Sequence, residues 1–209
     1  MDIDLVTGVI FVVISIGVAI TLHELMHALV SYWLGDDTAK EQGRITLNPL
    51  AHIDPVMTLL LPLVLFIFHL PMIGAAKPVP FNMGRLRYRE YGVAIVALAG
   101  PLTNLALAIL ATVIYNFFLK GAGFHPNLEY FVIIFATFNA IFFAFNIIPI
   151  PPLDGSRVFY ALSPEFIKSL MNLIERFGFI IVIALVLLAS SWLGHYILWI
   201  LELLHIPSL

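Results

Sequence analysis

The chain contains no cysteine. That excludes thiolate metal ligands, a cysteine nucleophile and any disulfide framework, so a metal site here has only histidine and carboxylate to draw on. Charge is scarce too: 11% of the 209 residues are Asp, Glu, Lys or Arg, and without a dense charged block there is no room for a separate soluble domain. No basic patch with interleaved aromatics occurs, so nothing points to nucleic acid. A removable signal peptide is not expected either, because the first segment carries Asp2 and Asp4 instead of a basic leader and lacks a small-residue cleavage signature. What the chain does have is apolar surface. Hydrophobic residues make up 61% and the mean hydropathy is +1.03, as expected of one compact integral membrane domain spanning residues 1–209.

The apolar stretches predict an all-α polytopic membrane protein with about five to six membrane segments. A first helix is expected over 5–34, ending near Gly35, followed by a polar loop from Asp36 to Asp54 with Gly43 and Asn48-Pro49 as turn signals. The stretch 56–70 is short for roughly 30 Å of hydrocarbon at about 1.5 Å per residue, and Pro55, Pro62 and Pro71 interrupt it. A re-entrant segment fits better than a full span. Residues 72–83 include Lys77-Pro78-Val79-Pro80-Phe81-Asn82, where each residue before a proline is pushed toward extended geometry, so a short β-like hairpin is expected between the first and second core helices. Further helices are expected over 91–119 and 128–148, with an interfacial amphipathic helix over 158–176. The C-terminal stretch 177–205 is one tilted span or a tight hairpin, interrupted at Ser190-Ser191-Trp192-Leu193-Gly194.

Within the first stretch lies His23-Glu24-Leu25-Met26-His27. Positions four apart on an α-helix differ by roughly 40° around the axis, so His23 and His27 can present imidazoles to one ion with Glu24 beside them. Neutral imidazoles bind zinc, and a carboxylate can take a proton from water. Burying three polar side chains in hydrocarbon costs several kcal/mol unless something offsets it, and one bound Zn2+ ion would. The bland alternative is a structural polar cluster that hydrogen-bonds between helices.

A catalytic zinc usually takes three protein ligands and an open position. Asp154 is the best third candidate, held at a broken helix end by Pro149, Pro151, Pro152 and Gly155. Positive-inside counting supports the choice. If 56–70 does not cross, nine of the ten Lys and Arg share one side, with Lys120 alone opposite. That puts the N-terminus outside, opens the site toward the cytoplasm of a multi-pass cell-membrane protein, and brings Asp154 to the same depth as the histidines. His52 and Asp54 are rival or accessory ligands, with a turn-stabilising pair as the plainer reading. His69, His125, His195 and His205 read as interfacial histidines.

Together these residues resemble the site-2 protease family of intramembrane zinc metalloproteases (peptidase family M50), in its small prokaryotic form without PDZ or CBS domains. The resemblance spans most of the chain. It rests on His23 to His27, on Asn146-x-x-Pro149-x-x-Pro152-Leu153-Asp154-Gly155, on Gly100-Pro101-x-x-Asn104, and on the loop Asn48 to Pro55. Ser156 departs from the second glycine that many members carry there. The resemblance implies zinc held by His23, His27 and Asp154, with Glu24 as general base and later proton donor. It also implies Asn104 and Asn146 near the substrate, as oxyanion or peptide donors, and a strand-like element around Lys77 to Asn82 that pairs with an unwound transmembrane substrate. The competing function is a membrane zinc transporter or sensor using the same ligands. That reading leaves Glu24 without a task and expects repeated halves, which are not visible.

Overall fold

The computed structural model describes residues 4–60, 63, 64, 67, 74 and 76–207. The first helix, α1 (Leu5–Trp33), starts at Asp4, whose carboxylate accepts from the Thr7 N–H at 3.0 Å and the Thr7 hydroxyl at 2.6 Å. It ends at Gly35, which takes φ +99°. The Gly35 N–H donates to Tyr32 O at 3.0 Å and the Asp36 N–H to Ser31 O at 3.1 Å, so the last carbonyls are met by a glycine-dependent reversal. After the short α2 (Thr38–Glu41), a 3₁₀ turn (Pro49–Ala51) and a π-helical turn (Pro55–Leu60) follow. The remaining helices are α3 (Glu90–Ile114), running on as a π-helical segment (Tyr115–Leu119), α4 (Pro126–Asn146), α5 (Asp154–Leu162), α6 (Glu165–Glu175), α7 (Gly178–Leu188) and α8 (Ser190–Leu203).

Helix α3 is the hub, packed against α1, α4 and α5, while α4 also meets α1 and α8. Small residues make this possible. Ala108 and Ala111 of α3 meet Ala136, Ala140 and Ala144 of α4, with Ile200 of α8 and Ile206 closing the cluster. Where lipid tails supply no hydrophobic drive between helices, such residues let backbones approach closely enough for dispersion contacts to act.

The burial pattern is that of a protein solvated by lipid. On α1, Val6, Val9, Ile10 and Val13 are exposed, whereas Ser15, Ala19, His23, His27 and Ser31 form a buried stripe at every fourth position. Apolar outside and polar inside is the inverse of a water-soluble helix. Three helices are long and apolar enough to cross a membrane: α1, α3 with its extension, and α4. A fourth span results if α6 and α7, bent by 83°, count as one. Among the described residues this makes three to four spans, where five to six membrane segments, the re-entrant and C-terminal ones included, are expected from hydropathy. Helices α7 and α8, of 11 and 14 residues, reach only about 17 and 21 Å each and do not cross alone.

Two other expectations come out differently among the described residues. The amphipathic stretch 158–176 is two helices, broken where Pro164 caps α6. No strand occurs. Residues 76–82 are neither helix nor strand, because Pro78 and Pro80 lack an N–H and the carbonyls of Lys77 and Pro78 are taken by the Arg44 guanidinium. Residues 61, 62, 65, 66 and 68–70 of the expected re-entrant segment, His69 among them, and 72, 73 and 75 of the expected hairpin lie outside the described residues; the first part of the re-entrant segment, to Leu60, is the π-helical turn.

Candidate metal centre

His23 and His27 lie one turn apart on the buried stripe of α1, with their imidazole Nε2 atoms 3.0 Å apart. Asp154 is the first residue of α5. Its Oδ2 stands 3.1 Å from His23 Nε2 and 3.4 Å from His27 Nε2. What brings it there is the turn 147–153, which closes only over a glycine. A Cβ at residue 155 would overlap the carbonyl of Ile147 and fall 2.8 Å from that of Ile148.

The outer nitrogens fix which atom of each ring faces inward. His27 Nδ1 lies 2.7 Å from the Val96 carbonyl, which can only accept, so Nδ1 carries the proton and Nε2 a lone pair. His23 Nδ1 lies 2.6 Å from Asn104 Oδ1. The orientation of that amide follows from its other end, where Nδ2 donates to the Ala19 carbonyl at 3.2 Å and to Asn139 Oδ1 at 3.0 Å. Both imidazoles thus turn lone pairs toward a carboxylate oxygen. Three acceptors converging in a buried site repel one another unless a cation joins them.

The spacing fits such a cation. Ligand atoms around a tetrahedral zinc at about 2.0–2.1 Å stand about 3.3 Å apart, against the 3.0, 3.1 and 3.4 Å found here. Gly100 of α3 keeps the space open, since a Cβ there would sit 2.6 Å from His23 Nε2 and closer still to His27 Nε2. Among the described residues, His23, His27 and Asp154 are the one group of three or more such side chains able to hold a metal ion.

Glu24 is buried on α1 beside the histidines and forms no hydrogen bond with the described residues. The other expected residues lie elsewhere. Asn104 is fully buried behind His23, with both amide hydrogens spent inside the bundle. Asn146 bonds back to Phe142 O at 3.0 Å at the end of α4. His52 is buried with Nε2 on Thr46 O at 3.0 Å, and Asp54 Oδ1 accepts the Val56 and Met57 N–H groups at 2.9 Å each. Both hold the loop together, and neither joins the metal group. Asn139 was not singled out by sequence reasoning. The one available signal was an amide in the middle of an apolar helix.

A helical membrane protein with a buried His-His-Asp centre is the class these features define. The comparisons with known proteins give the family. The chain is 38% identical over 194 residues to "Putative zinc metalloprotease YwhC" of Bacillus subtilis (strain 168), covering 90% of this chain and 84% of that one. It is 31% identical over 203 residues to "Putative zinc metalloprotease Rip2" of Mycobacterium tuberculosis (strain ATCC 25618 / H37Rv), covering 93% and 74%. A shorter match, 44% over 64 residues, joins 30% of it to 31% of "Putative zinc metalloprotease MJ0611" of Methanocaldococcus jannaschii. The chain belongs to this zinc metalloprotease family. No family model matches it, and no solved structure matches significantly.

Proposed function

We propose that the protein is an intramembrane metalloprotease of the site-2 type, binding one zinc ion through His23, His27 and Asp154 and hydrolysing a peptide bond within or near a transmembrane segment. One observation above all supports the reading: three lone-pair-bearing atoms from two distant segments converge at zinc-ligand spacing beside a carboxylate, Glu24, that forms no hydrogen bond with the described residues. Zinc, when bound, supplies Lewis acidity that polarises a carbonyl and eases the deprotonation of water.

The chain's own residues do the rest. Asn104 and the Val96 carbonyl hold the protons of His23 and His27 at Nδ1, which keeps both Nε2 atoms available as ligands and makes the imidazoles more basic. Asn104 is therefore a positioning residue, with Asn139 holding its amide in place. Glu24 accepts a proton from the attacking water and delivers it to the departing amine. The surrounding apolar helices keep bulk water from the ligands, which strengthens each electrostatic contact. A helical substrate hides its amides in internal hydrogen bonds and has to unwind before attack. The N-terminus lies outside and the site opens toward the cytoplasm, the arrangement that puts nine of ten Lys and Arg on one side if 56–70 does not cross. Ion transport, the other use of such ligands, gives Glu24 nothing to do.

Co-expression with a panel of single-pass membrane proteins tests the reading. The intact chain should release a shortened product from at least one of them, and Glu24→Gln should release none. Equal cleavage by the two proteins would remove Glu24 from the chemistry.

A further inference from the structure

Arg44 follows α2, where its backbone N–H closes a turn on Ala39 O at 2.9 Å. Its side chain runs inward and is only 3% exposed. Nη2 donates to the carbonyls of Lys77 and Pro78, which ties the extended segment down. Nε and Nη1 are buried and have no hydrogen-bond partner among the described residues. No carboxylate lies within ion-pair distance of the guanidinium among the described residues, and the acid whose charge reaches it is Glu24. A second orphan lies in the same loop: His52 Nδ1 is buried without a partner among the described residues, while the His52 carbonyl accepts the Lys77 N–H at 2.9 Å. Arg44 and His52, each with unpartnered buried polar atoms, thus both bond to the backbone of Lys77 through their other atoms.

Buried donors left unpaired are costly, and a buried cation more so. What the guanidinium lacks is an acceptor oxygen, and its free edges narrow the choice. Both two-pronged faces of a guanidinium include Nη2, which is committed to Lys77 and Pro78. A carboxylate or phosphate therefore cannot dock in the bidentate manner that makes arginine select them. Single carbonyl oxygens, spaced along an extended peptide, suit the separate N–H groups that remain.

We infer that Arg44 binds the substrate directly, donating from Nε and Nη1 to backbone carbonyls of the unwound peptide beside the scissile bond. This rests on the protease reading, and it gives the segment around Lys77 a second purpose as the wall that aims the guanidinium. Recognition of this kind ignores side-chain identity and asks only that the helix be opened.

The test uses the full-length, zinc-loaded protein in nanodiscs and a synthetic transmembrane peptide carrying one thioamide at a time around the cleavage site, since sulfur accepts hydrogen bonds poorly. At one or two positions the thioamide should slow the unmodified enzyme about tenfold, the worth of one charge-assisted hydrogen bond. Arg44→Lys and Arg44→Gln should cleave the all-amide peptide more slowly, with zinc content intact, and should be indifferent to the thioamide at those positions. Thioamide losses of equal size in enzyme and variants would overturn the proposal. So would loss of zinc or of thermal stability in both variants, which would make Arg44 part of the scaffold alone. Failure of the unmodified enzyme to cut the all-amide peptide would instead contradict the protease reading.

Discussion

Gly100 and Asn104 sit one turn apart on α3; Gly100 leaves room for both histidines, and Asn104 Oδ1 accepts the hydrogen bond of His23 Nδ1–H. Gly100→Ala places a Cβ where the ligand lone pairs meet. It should lower zinc affinity at least about tenfold with helicity unchanged, because the clash falls on movable imidazoles and not on backbone; competition with a chromophoric chelator and circular dichroism check this. Asn104→Ala frees His23 to rotate or change tautomer, and should cost about 10–100-fold in metal affinity by the same competition assay. The two histidines and Glu24 were legible in the sequence because a helix converts spacing into direction. Asn139 and Arg44 were not, since their roles arise only when α3 meets α4 and when residues 77–78 fold back over the loop. For Asn104 the motif marked nearness to the site, and the fold commits its amide to His23, Ala19 and Asn139.

At the scale of elements, the break before α5 does the positioning. Gly155→Ala should destabilise the protein by about 1–3 kcal/mol through overpacking against the Ile147 and Ile148 carbonyls, visible as a lower thermal midpoint together with weaker zinc retention. Proline and glycine made this break readable in advance. The helix pair that follows was less so, since Phe166, Leu170 and Leu173 point outward while Lys168 turns in to Glu90 at 2.5 Å. Apolar periodicity alone does not say whether the apolar face meets protein or lipid. The extended segment is tied down a second time at Asp36, whose carboxylate accepts from Thr38, from Ser31 and, at 2.5 Å, from the Asn82 N–H. Burial pushes the Asp36 pKa up, but these donors more than offset it and hold it below the ordinary carboxylate value. A depressed folded-state pKa means the tie is complete above the unfolded value, about 3.9, and is lost as pH falls through the lower folded one. Hydrogen-exchange protection of the Asn82 amide should therefore be flat at neutral pH and fall in that acid window, and Asp36→Asn should lower it throughout and abolish the dependence.

For the whole molecule, hydropathy gave the class, and the interruption at Ser190 to Gly194 left 177–205 as one tilted span or a hairpin; the structure splits it at Ala189 into two short helices. Orientation is open to direct measurement, since the absence of cysteine makes single introduced thiols unambiguous reporters. Lys40→Cys should react with a membrane-impermeant maleimide only from the cytoplasmic side, and Lys120→Cys only from the opposite side; reaction from the same side would refute the orientation. We propose that two histidines of α1 and an aspartate at the start of α5 hold one zinc that is required for cleavage. Stripping the metal from the protein in nanodiscs and titrating zinc back while following cleavage of a transmembrane substrate tests it most directly. Activity should rise from nothing and break at one zinc per chain, whereas cleavage that persists without metal, or never appears with it, would contradict the account.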